Sequence, residues 1–194
     1  IGVLFVLQVA FGCNDALVPD VKIVTCIGDT WTMWNAERMT LLFVGPVLSD
    51  GISAMAHATS PDSLLVAAGS SVYRYVRGHE VAKYNTSVAD EGIEGHVLSS
   101  MLVFGDYVCS LAAHGSTMYV WSLLTTELLQ AIALPSSSQA SCFVHPATYL
   151  NKVVLGMTDG SLQLRNVRTT SLIHTIDALE VRAGKTSTKE PADE

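Results

Sequence analysis

Charge is scarce in this sequence, and positive charge most of all. Only 15% of the 194 residues are charged, and 11 bases face 18 acids for a formal net charge of −7. A chain that wraps a phosphate backbone needs a basic face. The deficit argues against direct, sequence-independent RNA binding. The four cysteines, Cys13, Cys26, Cys109 and Cys142, form no Cys-x-x-Cys pair and have no His at zinc spacing. Buried reduced thiols in a reducing compartment are the plain expectation. No apolar run approaches the ~20 residues of a membrane helix, and Ile1 to Gly12, the most apolar stretch, lacks the basic start of a secretory signal. A lipoprotein-type signal ending at Gly12-Cys13 is the competing reading of that stretch.

Catalytic signatures are missing too. There is no Gly-x-Ser-x-Gly elbow, and His57, His79, His114, His145 and His174 stand singly, with no pair at metal-binding spacing. Gly184-Lys185-Thr186 resembles the end of a phosphate-binding loop, but Leu179 stands where its upstream glycine belongs. No catalytic residue, cofactor, metal or small-molecule substrate is expected.

What the sequence does have is apolar residues, 49% of the chain, arranged with a period. Four segments align on a strand pattern: Trp31-Thr-Met-Trp34, Val72-Tyr-Arg-Tyr75, Met118-Tyr-Val-Trp121 and Leu162-Gln-Leu-Arg165. Their last residues, the anchors Trp34, Tyr75, Trp121 and Arg165, lie 41, 46 and 44 apart, the spacing of WD-type propeller blades. Before each anchor comes an apolar β-rich run and a turn, Gly28-Asp29, Gly69-Ser70, Gly115-Ser116 or Asp159-Gly160. Glycine there supplies the positive φ of a two-residue hairpin turn. After each anchor come a polar link and another apolar strand.

The pattern predicts an all-β fold, a WD-repeat propeller with four-stranded blades at about 1–45, 46–85, 95–134 and 139–177. The first inner strand is placed within Ile1 to Ala10, which favours a strand over a signal there. Four blades of an incomplete ring are expected, because WD-type rings are usually larger. Residues 178–194 lose the period and read as a disordered polar tail.

WD blades often carry a buried network of a loop His, a strand Ser, the anchor Trp and a turn Asp. His96, Ser110 and Trp121 fit three of those places, but Gly115 stands where the Asp belongs. A partial structural network is expected, with no catalytic role for His96. The alternating aromatics are expected to fill the wedge between blades.

His145-Pro-Ala-Thr-Tyr-Leu-Asn-Lys152, running into Val153-Val-Leu-Gly-Met-Thr-Asp-Gly160, resembles the amino-terminal propeller of the U3 small nucleolar RNA-associated protein twenty-one family. Leu42-Phe-Val-Gly-Pro46, Phe104-Gly-Asp106 and Gly69 match in the same order. The resemblance covers about 11–176. It implies a non-catalytic scaffold of the small-subunit processome in the nucleolus and nucleus, supporting rRNA processing and ribosome biogenesis. Its implied partners are other WD-repeat assembly factors and U3 snoRNP proteins, with RNA held indirectly and no membrane involved. Tyr149, Asn151 and Lys152, in the most distinctive stretch, form a candidate contact loop, against the plainer reading that the loop shapes the approach to the Val153 strand. Arg165, where Trp is expected, and the lost pattern after Ile176 are departures suggesting a divergent or truncated copy. An unrelated WD adaptor or substrate receptor and a secreted propeller enzyme are the rival readings.

Overall fold

The computed structural model describes residues 4–11, 20–59, 61–86, 96–135 and 137–177, with side chains from residue 21 onward. Every regular element among them is a strand. The first sheet joins β1 (Leu4–Phe11), β2 (Asp20–Ile27), β3 (Thr30–Asn35) and β4 (Thr40–Val44). The second joins β5 (Ile52–Thr59), β6 (Asp62–Ala68), β7 (Ser71–Val76) and β8 (His79–Asn85). The third joins β9 (Leu98–Phe104), β10 (Tyr107–Ala112), β11 (Thr117–Ser122) and β12 (Leu128–Ala133). The fourth joins β13 (Ala140–Val144), β14 (Lys152–Met157), β15 (Leu162–Asn166) and β16 (Leu172–Ile176). In every sheet, neighbours in sequence pair antiparallel, giving the expected meander. The predicted tail, residues 178–194, lies outside the described residues.

The chain forms two compact units, 1–133 with the first three sheets and 134–194 with the fourth. In the first unit the middle sheet shows why its sequence is so apolar. Along β6, Leu64, Val66 and Ala68 pack with Val24, Cys26, Trp31 and Met33 of the first sheet. Leu65 and Ala67 pack with Val108, Tyr119 and Trp121 of the third. A strand with a sheet on each face needs apolar residues at every position, and Ser63 to Ala68 is buried throughout. β14, in the second unit, alternates buried and half-buried residues instead.

Each sheet has two ends. One carries the turn between its second and third strands and the link to the next sheet, and we call it the glycine-turn end. The other carries the remaining two turns, and the anchors lie close to it. At the glycine-turn end Gly28 and Gly69 adopt φ of 66° and 58° in two-residue turns, as predicted. The third and fourth turns are longer than predicted, spanning four residues, 113–116 and 158–161. There Gly115 and Gly160 hold the positive φ at the third place, their N–H groups donating to Ala112 O and Met157 O. Backbone bonds then tie one sheet to the next in the first unit. Ile52 N, opening β5, donates to Gly28 O at 2.7 Å, and Leu98 N, opening β9, donates to Gly69 O at 2.9 Å.

Candidate interaction surface

Register places the four anchors at one structural position. Trp34, Tyr75, Trp121 and Arg165 pair with Ile23, Leu64, Val108 and Val153 of the second strands. Their partners in the fourth strands are Leu41, Glu80, Leu128 and Leu172, and in every sheet the register shifts immediately before the anchor. The residue after the anchor has a job the sequence reading missed. Asn35 Oδ1 accepts from Glu37 N and Arg38 N, Asn166 Oδ1 from Arg168 N and Thr169 N, and Ser122 Oγ from Thr125 N. These Asx-type and Ser-type turns release the chain to Met39, Thr126 and Thr170, all at positive φ and all five residues beyond their anchors. A polar residue directly after each of these anchors was the available signal.

The anchors differ in burial for a definable reason. In the first unit the anchor face of each sheet looks toward the sheet before it: Tyr75 packs on the first sheet and Trp121 on the second. The first sheet turns Trp31 and Met33 toward the second, so Trp34 lies on its opposite face. No sheet covers that face among the described residues of the unit, and Trp34 is half-buried, its Nε1 donating to Thr32 Oγ1 at 2.9 Å. Trp31 is the buried indole of this sheet. In the fourth sheet Arg165 is buried and donates from Nε to Gln163 Oε1 at 3.0 Å. Burial holds its guanidinium below the usual arginine range.

The predicted His96–Ser110–Trp121 network is not assembled. His96 Nδ1 bonds the Tyr119 hydroxyl, Ser110 Oγ donates to Ser100 O at 2.6 Å, and Trp121 Nε1 donates to Asn85 O at 3.0 Å. Gly115 occupies the turn place where the Asp of such a network would stand. Tyr119, stacked on Trp121 with centroids 5.7 Å apart, takes His96 instead.

A different polar network, unforeseen from sequence, locks the second sheet to the third. Arg74, buried, donates from Nε to Ser63 Oγ at 3.0 Å and from Nη1 to Leu123 O at 2.9 Å. The Tyr84 hydroxyl reaches the same carbonyl at 3.0 Å, and Asp106 organises the strand end around it, accepting from Ser122 Oγ and Leu124 N. Desolvation raises the Tyr84 pKa, and the Arg74 charge opposes the rise. An arginine inside an otherwise apolar strand was the only hint, since its partner lies 49 residues away.

In the second unit the candidate contact loop is folded by its own bonds. His145 Nδ1 bonds Lys152 O at 2.9 Å, Tyr149 N donates to Pro146 O, and Val167 N donates to Asn151 O. Lys152 Nζ sits 4.1 Å from the Tyr149 ring centroid, a cation–π distance. At the tip Leu150 is 92% exposed. The backbone therefore shapes the approach to β14, while Tyr149 and Leu150 face solvent. Among the described residues no three His, Cys, Asp or Glu side chains gather as metal donors.

Steric limits explain several residues of the resemblance. A Cβ on Gly45 would stand 2.2 Å from Trp31 Nε1, and one on Gly156 would stand 2.7 Å from Cys142 Sγ. The family model described as the WDR36/Utp21 first β-propeller matches residues 23–192. The chain belongs to this family. This propeller is 33% identical over 158 residues to the U3 small nucleolar RNA-associated protein 21 homolog of Schizosaccharomyces pombe, covering 78% of the chain and 16% of that protein. It is 29% identical over 161 residues to human WD repeat-containing protein 36, covering 82% of the chain and 17% of that protein. The chain thus spans about a sixth of the length of the curated relatives it matches. Among solved structures, the Cps50 (Swd1) β-propeller domain of Myceliophteria thermophila aligns with a TM-score of 0.66 and 15% identity, over 80% of this chain and 51% of that one. The computationally designed Ika8 protein aligns with a TM-score of 0.62 and 18% identity, over 80% and 46%. Both similarities describe the fold.

Proposed function

We propose that this propeller is a non-catalytic scaffold of the small-subunit processome, acting in the nucleolus to support U3 snoRNP-dependent rRNA processing. The carrying observation is the family match over residues 23–192, joined to relatives named for association with U3 small nucleolar RNA. Its partners are other WD-repeat assembly factors and U3 snoRNP proteins. RNA is held through them, because a chain of net charge −7 gains little from counterion release. The loop of Tyr149, Asn151 and Lys152 is a protein contact: its backbone is fixed by internal bonds, and it presents Tyr149 and Leu150 as a pre-ordered apolar tip.

Purification of the tagged full-length protein is expected to recover U3 small nucleolar RNA together with WD-repeat assembly factors, and depletion is expected to accumulate unprocessed small-subunit rRNA precursor. Recovery of no nucleolar partner would replace this reading with that of an unrelated WD adaptor. Replacing Tyr149 and Leu150 by Ser, which leaves the loop's backbone bonds in place, is expected to lose a subset of partners. Full partner recovery from that variant would return the loop to a purely structural role.

A further inference from the structure

Besides Val44, which closes β4, three large apolar side chains in or beside the turn and links stand in solvent at the glycine-turn end of the first unit. They are Ile27, closing β2 and 70% exposed; Val47, in the link between the first and second sheets and 75% exposed; and Val97, just before β9 and 57% exposed. Backbone contacts brace them on one ridge. Leu48 N donates to Asp29 O at 3.0 Å and Ile52 N to Gly28 O, holding the link that carries Val47 against the turn that follows Ile27. The Asp50 carboxylate lies against Gly69, where a Cβ would come within 2.7 Å of Oδ2. Gly69 O in turn accepts Leu98 N, next to Val97.

Charge on this ridge has one sign. Asp29 and Asp50 are exposed, and their side-chain partners are hydroxyls, Thr30 Oγ1 at 3.2 Å and Ser49 Oγ at 2.9 Å, which leave both negative charges uncancelled. Among the described residues of the unit no Lys or Arg occupies a turn or link at this end. Lys22, Arg38, Arg74 and Arg77 lie toward the anchor end, and Lys83 sits midway along β8 with Nζ 5.0 Å from the Tyr73 ring centroid.

We infer that this ridge docks a segment of a partner protein in which basic side chains flank apolar ones. Ile27, Val47 and Val97 supply the contact that is desolvated, and Asp29 and Asp50 select the basic flanks and steer their approach. The same carboxylates repel phosphate, so the occupant is protein and not RNA. The inference deepens the scaffold reading and rests on it for its biological partner, but its physical test is separate.

Fluorescence anisotropy of the intact protein with a labelled short peptide alternating arginine and leucine is the test, with glutamate–leucine and arginine–glycine peptides as controls. The arginine–leucine peptide is expected to bind most tightly, with an affinity that falls as salt rises. Asp29→Asn combined with Asp50→Asn removes charge without changing shape and is expected to weaken it about fivefold to tenfold. Val47→Ser with Val97→Ser is expected to weaken it about tenfold or more. Equal binding of the glutamate–leucine peptide, tighter binding of a labelled oligouridine, or unchanged affinity in both double variants would each overturn the inference. Partner recovery from cells judges the scaffold reading alone: a wild-type protein that recovers nucleolar partners while its variants bind the peptide unchanged sinks the ridge and spares the scaffold.

Discussion

The two interfaces of the first unit use the same strand positions and solve their polar problem differently. Between the first and second sheets, Trp31 and Tyr75 meet with ring centroids 5.1 Å apart, and Trp31 Nε1 and the Tyr75 hydroxyl are both buried without a hydrogen-bond partner. Between the second and third sheets every central polar group is engaged, through Arg74, Ser63, Tyr84, Leu123 O and the Trp121–Asn85 bond. A blade interface therefore needs apolar area first. Polar satisfaction is an addition that one junction has and the other does without, at a typical ~1–3 kcal/mol for each orphaned group. Burial pushes the Tyr75 phenol up to about 12, and the nearby Glu80 charge adds to the rise.

The apolar junction breaks most readily by overfilling. Gly45→Ala drives a methyl into Trp31 Nε1, with 2.2 Å available, and is expected to destabilise by about 3 kcal/mol in urea unfolding. An unchanged midpoint would mean that Trp31 is free to move aside. In the bonded junction Arg74→Met keeps much of the packing but strips a donor from Ser63 Oγ and Leu123 O, for an expected loss of about 2 kcal/mol. Adding Tyr84→Phe should then cost more than it does alone, because Leu123 O loses both side-chain donors. Strictly additive effects would argue against a shared acceptor.

Removing a polar atom from the first junction should do the reverse of removing one from the second. Tyr75→Phe discards an unpartnered hydroxyl and is expected to match or exceed wild-type stability at neutral pH, by up to about 1 kcal/mol. The difference grows with alkali. The folded protein keeps the Tyr75 proton to about 12 whereas an unfolded chain releases it near 10.0. Wild-type stability is therefore whole below pH 10 and falls as pH climbs through that window, by about 2–3 kcal/mol from this group. The Phe variant lacks this component, so parallel curves would remove Tyr75 from the account. The mildest probe is alkylation of the native protein. Cys142 is exposed and Cys26 and Cys109 are buried, and burial also raises the Cys109 thiol pKa. Iodoacetamide is expected to label Cys142 readily and the two buried thiols only after unfolding.

The repeat was readable because it is written in local chemistry. Turn glycines and anchors recur every 41 to 46 residues, and the strands fall in the predicted order from β1 to β16. Bonds between distant residues were not readable. Nothing adjacent in sequence links Arg74 to Leu123 O, and the His96–Ser110–Trp121 expectation carried over a typical arrangement in whose turn Asp place this blade has Gly115. Burial of Trp34 depends on what lies against the first sheet, which no residue of its own strand encodes. Turn length at 113–116 and 158–161 was misjudged because one glycine suits both a two-residue and a four-residue connection.

The bonds from Ile52 N to Gly28 O and from Leu98 N to Gly69 O also bear on how the molecule is made. The second and third sheets each begin by donating to a hairpin that earlier residues have already closed. A ribosome delivers the hairpin before the strand that needs it, so assembly can advance in the direction of synthesis, one sheet serving as the template edge for the next. Apolar faces such as that of β6 then wait uncovered only for as long as one further sheet takes to emerge.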